Sequence, residues 1–153
     1  MENRIEKLRA FIDSIILDME DSEERRCAYV HLYGVSLFCA IIARRRNQDV
    51  ELATMAGMLH DLYTYKMMDS KNHAKKGAKL AKEILNSLEL TTEEETKLIC
   101  KAISNHTDKK SKHSNFTEVL IDADVMQHHF YNVSLPIIDK EKGRLEKTLN
   151  EFC

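Results

Sequence analysis

Imidazoles and carboxylates are the side chains most able to do chemistry in this chain. They occur as His31, the adjacent pair His60-Asp61, His73, His106 and the segment Asp122-Ala123-Asp124. Imidazoles and carboxylates brought together would make a mixed metal site that can leave coordination positions open for water. The pair His60-Asp61 closes the apolar stretch from Leu52 to Leu59. Burying both side chains there is costly unless something pairs with them, and a metal ion is one such partner. Taken singly, His60 could complement the negative end of a helix dipole and Asp61 could cap or turn the chain.

The elements that must position these residues read as helices. Ile5, Leu8, Ile12, Ile15, Ile16 and Met19 recur at helical spacing, so residues 4–19 predict an amphipathic helix. Asp21-Ser22 can cap a second helix, with Glu23 and Glu24 at its positive dipole end and Arg44-Arg45-Arg46 at its negative end. That helix leaves little room for a polar face around His31, which is expected to point inward. A third helix, from Asp49 or Val50 to Asp61, carries the small residues Ala53, Ala56 and Gly57 and suits a central, closely packed position. Residues 63–72 read as a loop or short helix. A fourth helix starts at His73, and a fifth follows the capping box Thr92-Glu93-Glu94-Glu95 and ends at Asn105-His106. Residues 107–115 are polar and basic and read as a surface loop, mobile unless a ligand orders it. From Phe116 a buried helix follows in which Asp122 or Asp124 must face inward. Beyond Pro136, residues 139–152 predict a charged, peripheral last helix.

Composition agrees with an all-α bundle of about six to seven helices in one domain spanning residues 1–153. One Pro, four Gly, no Trp and 31% charged residues offer few breakers for a strand-and-turn architecture. The formal charge of −2 provides no global field for nucleic acid or a membrane surface. Cys27, Cys39, Cys100 and Cys153 form no C-x-x-C pair, and free thiols in a cytoplasmic protein are the expectation. The apolar run Val35 to Ala43 is short of a membrane span.

The order of the chemical residues resembles the HD-domain superfamily of metal-dependent phosphohydrolases, whose signature is a His, an adjacent His-Asp and a distant Asp. Arg26-Cys27-Ala28-Tyr29-Val30-His31-Leu32-Tyr33-Gly34-Val35 is similar to the family's first histidine helix, and Ala56-Gly57-Met58-Leu59-His60-Asp61-Leu62 to its central motif. Asn72-His73-Ala74-Lys75-Lys76-Gly77-Ala78 and Ile103-Ser104-Asn105-His106 resemble the further histidine segments of small members, and Ile121-Asp122-Ala123-Asp124 the closing Asp-Ala-Asp. These segments span about residues 26–126.

By that resemblance His31, His60, Asp61 and Asp124 are metal ligands, with Asp124 preferred to Asp122, which is left as a surface or outer group. His60 and Asp61 carry the catalysis, using a metal-activated water. His73 and His106 would complete a second metal site or hold phosphate. The ion would be Mn, Fe, Mg, Zn or Ni, in one or two copies. Lys66, Lys109 and Lys110 are weaker candidates for binding substrate phosphates. His113, His128 and His129 have no assigned partner and read as surface or helix-end residues. The implied activity is hydrolysis of a small phosphorylated substrate, a nucleotide or related ester or anhydride. A di-iron oxygenase on the same fold and a non-catalytic metal- or nucleotide-binding sensor are the alternatives, and a homo-oligomer is compatible with either.

Overall fold

Five of the eight helices among the described residues start where short polar side chains take up orphan backbone N–H groups. Asn3, Asp21, Asp49 and Ser114 each accept from the backbone three residues on, and Thr92 and Glu95 form a reciprocal capping box. In a computed structural model, described over residues 3–153, these caps open an all-helical chain. Its elements are α1 (Arg4–Leu17), α2 (Ser22–Arg45), α3 (Val50–Leu59), α4 (Leu62–Met67), α5 (His73–Ser87), α6 (Glu93–Asn105), α7 (Asn115–Tyr131) and α8 (Asp139–Asn150). Among the described residues there is no strand. All but α4 run ten residues or more; α4, of six, occupies the first part of the stretch 63–72, for which the sequence allows a loop or short helix.

Every residue of α3 from Leu52 to Leu59 is buried, and α3 packs against α1, α2, α6 and α7. Gly57 explains how α2 comes so close. A Cβ built there would lie 2.6 Å from Ser36 Cα and 2.9 Å from Ser36 N. Alanine is favoured over glycine by ~1 kcal/mol inside a helix, but overpacking against backbone costs about 1–3 kcal/mol and displaces the helix. Gly57→Ala is therefore expected to lower unfolding free energy and to disturb His60 three residues on. Urea denaturation checks the first effect, and a variant as stable as the parent would show that α2 yields freely.

By length and composition α2 could cross a membrane, which its shorter uninterrupted run did not suggest. In this fold one side of it, including Leu32, Val35, Cys39 and Ile42, is buried against α3 and α7. Gly77 of α5 sits 3.3 Å, measured from a built Cβ, from the carbonyl of His60 and so lets α5 bring His73 towards the same corner. The last helix, α8, packs along α7.

Candidate metal centre

Five helices and one corner between helices deliver the chemical residues to one place. His31 comes from the middle of α2, His60 from the C-terminus of α3, Asp61 from the corner before α4, His73 from the first turn of α5, His106 from the C-terminus of α6 and Asp124 from α7. Donor atoms of His31, His60, Asp61 and Asp124 lie within 4.8 Å of one another, as do those of Asp61, His73 and His106. Asp61 joins the two groups. Its Oδ2 lies 2.9 Å from His31 Nε2 and 3.3 Å from His60 Nε2, and its Oδ1 lies 3.2 Å from His106 Nε2 and 3.3 Å from His73 Nε2.

The rings are locked from behind. His60 Nδ1 donates to Gly57 O at 2.7 Å, His106 Nδ1 to Ile103 O at 2.6 Å and His73 Nδ1 to Ser70 O at 3.0 Å. Two of these carbonyls belong to helix C-termini, where the last turn leaves acceptors free. His31 Nδ1 donates instead to Gln127 Oε1 at 2.7 Å. Gln127 lies across α2 at Gly34, where a Cβ would come within 2.9 Å of its Cγ. With each Nδ1 protonated, the neutral ring presents the Nε2 lone pair to the centre, as in metal-binding histidines.

This arrangement calls for positive charge. His31 Nε2 and His60 Nε2 are 3.1 Å apart, so their lone pairs repel unless a proton or a cation lies among them. Asp124 Oδ1 is buried and takes no well-formed hydrogen bond, although three imidazole nitrogens surround it: His128 Nε2 at 3.3 Å, His31 Nε2 at 3.5 Å and His60 Nε2 at 3.6 Å. A buried carboxylate oxygen so poorly satisfied is expensive. Burial opposes the charged form of His60, yet the carboxylates of Asp61 and Asp124 lift its pKa to about 10. Burial likewise opposes ionisation of Asp61 and Asp124, and is outweighed: the surrounding histidines hold Asp61 well below the carboxylate range, and His60, Lys109 and His128 do the same for Asp124. The donor set fits a divalent cation in place of those shared protons.

Around Asp124 the structure departs from the sequence reading. Lys109 is not a solvated loop lysine. Its side chain is 9% exposed, and Nζ donates to Asp124 Oδ2 at 2.9 Å and to Glu141 Oε1 at 2.5 Å. The loop before α7 is pinned, because Arg144 of α8 donates to the carbonyls of Lys109 and Ser111 and pairs with Glu118. His113, given no partner by sequence, donates from Nε2 to Asp108 O at 2.8 Å in the same loop. Asp122 is buried and ion-paired with Arg46 at 2.8 Å and Arg144 at 3.1 Å, so it is no surface group.

His128 is likewise no bystander. Its Nδ1 meets Glu141 at 3.0 Å, its Nε2 is 3.3 Å from Asp124 Oδ1, and its ring stacks on that of His31. The available signal was its position one helical turn after Asp124. Glu141 carried no comparable signal. Lys66 and Lys110 are exposed and line separate grooves, Lys66 beside Asp18 and Glu24 and Lys110 beside Arg46 and Lys147; neither forms an ion pair with the cluster.

An all-helical fold that gathers four histidines and two aspartates into a cluster able to hold a metal ion defines the class. A model of the HD domain family matches residues 28–136, and the chain belongs to that family. Comparison with curated proteins returns no match. Among solved structures, the fold is similar to that of a predicted HD superfamily hydrolase from an uncultured Thermotogales bacterium, with a TM-score of 0.65 and 19% identity over 96% of this chain and 86% of that one.

Proposed function

We propose that this protein is a divalent-metal-dependent phosphohydrolase acting on a nucleotide or related phosphate ester or anhydride. The observation that carries the reading is the convergence of imidazole nitrogens and ionised carboxylates on one another, with Asp124 Oδ1 buried among the Nε2 atoms of His31, His60 and His128 and given no well-formed hydrogen bond. In this reading His31, His60, Asp61 Oδ2 and Asp124 Oδ1 hold one ion. His73, His106 and Asp61 Oδ1 hold a second ion or the substrate phosphate. A bound divalent ion would acidify water and neutralise phosphoryl charge.

The remaining tasks fall to the chain. The backbone carbonyls and Gln127 fix the histidine tautomers, so no ring has to reorient during the reaction. Lys109 occupies Asp124 Oδ2 and leaves Oδ1 as the oxygen turned to the centre. Asp61, partly exposed, is placed to orient water. Hydrolysis adds the hydroxyl of that water to phosphorus as the bridging P–O bond breaks, and the departing oxygen takes up a proton.

The test joins metal analysis of the purified protein to a phosphate-release screen over mono-, di- and polyphosphate nucleotides, with Mn, Fe, Mg, Zn or Ni supplied in turn. Chelation is expected to abolish release and one of these ions to restore it. At a hundredfold excess over its Kd that ion should also stabilise the fold by about 2.7 kcal/mol. Iron-dependent oxygen consumption without phosphate release would replace this reading with the oxygenase, and binding without turnover would replace it with the sensor.

A further inference from the structure

We infer that the cleft between α2 and the end of α7 seats the organic part of the substrate, and that this part is an uncharged, ring-sized group and not a further phosphate chain. The inference rests on the phosphohydrolase reading for the position of the reacting phosphate. The cleft has a volume of about 270 Å³ and is walled by Cys27, Val30, Tyr65, Gln127 and Tyr131, with His31 and His128 on the side facing the metal cluster. Its lining thus includes His31, one of the residues of the centre itself.

Its size and chemistry decide what fits. Ligand pockets run from about 300 Å³ upward, so this one suits a single ring system. No lysine or arginine lines it. The nearest lysine in the cluster, Lys109, has its ammonium group consumed by Asp124 and Glu141, and Lys66 lines a different groove. A second phosphate here would lie against apolar and aromatic walls, and the guanidinium at the rim, Arg26 on the Tyr131 hydroxyl at 3.4 Å, is already paired with Glu23, so burying that charge is costly. The basic groove around Lys110, Lys112 and Lys147 offers no route, because no histidine of the cluster lines it.

Away from the histidines, two polar groups of the cleft are neutral donors. The Gln127 amide nitrogen and the Tyr65 hydroxyl make no hydrogen bond within the described chain, while Gln127 Oε1 is already engaged by His31. Burial pushes the Tyr65 hydroxyl upward, which keeps it protonated. Such groups recognise a ring nitrogen or a carbonyl, and the Tyr65 and Tyr131 faces add ring contacts.

Calorimetry on the metal-loaded protein tests this without requiring turnover. Phenylphosphonate is expected to bind at least tenfold more tightly than methylphosphonate or methylenediphosphonate. Val30→Trp, a change at a partly exposed wall position, is expected to remove that margin by filling the cleft. Equal or tighter binding of methylenediphosphonate, or a margin that survives Val30→Trp, would overturn the inference. Phenylphosphonate selectivity in a protein that hydrolyses no phosphate ester would uphold the cleft and sink the hydrolase; no binding of any phosphonate would sink both.

Discussion

Asp61→Asn is expected to abolish metal-dependent phosphate release and to empty both halves of the centre at once. Asp61 is the residue whose two oxygens are divided between the groups, Oδ2 towards His31 and His60 and Oδ1 towards His73 and His106. Asparagine keeps the shape but replaces one acceptor oxygen with an amide that can only donate, and it removes the charge that helps to raise the pKa of His60. Losing an outer partner of a metal ligand costs about 10–100-fold in affinity or activity. Losing a shared ligand should exceed that, so kcat/KM is expected to fall by at least about 10³-fold, extrapolating from that range.

Metal content by mass spectrometry gives the companion readout. His106→Ala touches only the second group and should lower content from two ions to one, if that group binds an ion, or leave it unchanged if it binds phosphate. Asp122→Asn is the control. It removes one anionic partner of Arg46, which keeps Glu151, and of Arg144, which keeps Glu118, and should reduce stability while the metal content persists. An Asp61→Asn protein that keeps the parent's metal stoichiometry would show that the centre is assembled some other way.

What was legible in the sequence was whatever depends on near neighbours. The capping box at Thr92 and Glu95, the acid-first and arginine-last ends of α2 and the small residues of α3 each act within a few positions, and each forms the expected element. The order of His31, His60-Asp61 and Asp124 could be read as well, because each stands on an apolar helix that has to bury it. The structure brings these four side chains together with His73 and His106.

The surroundings of Asp124 were not legible, for a physical reason. Lys109 and Glu141 are separated by 32 residues, and their meeting depends on how α8 lies along α7. Arg144, Glu118, Asp122, Arg46 and Glu151 form the same kind of inward-turned charge network. Composition alone makes such a helix and loop look solvated. His128 was hidden differently: adjacent residues on a helix point about 100° apart, so standing beside His129 says nothing of its role, and the neighbour that matters is Asp124 on its own helical face.

Lys109→Met supplies the sharpest test of that hidden network, and it is expected to cost about 3–5 kcal/mol of stability, the range for breaking a buried ion pair from one side. The methionine keeps most of the stem's length and packing but removes the ammonium group from between Asp124 Oδ2 and Glu141 Oε1. Burial by itself would push the lysine's pKa down; Asp124 and Glu141 reverse that and raise it, so in the folded protein the group is a cation held by two anions. Without it the two carboxylates face each other with only His128 between them. For a domain of this size the loss should lower Tm by on the order of 10 °C. Glu141→Gln alone should also destabilise, since it leaves Lys109 and His128 with one anion fewer. The double variant should lose less than the sum of the two, by more than about 1 kcal/mol, because both changes unbalance the same group of charges. Equilibrium denaturation of the four proteins reads out that coupling. A Lys109→Met protein within about 0.5 kcal/mol of the parent, the range of ordinary surface substitutions, would mean that Lys109 is solvated after all and that Asp124 is held by its histidines alone.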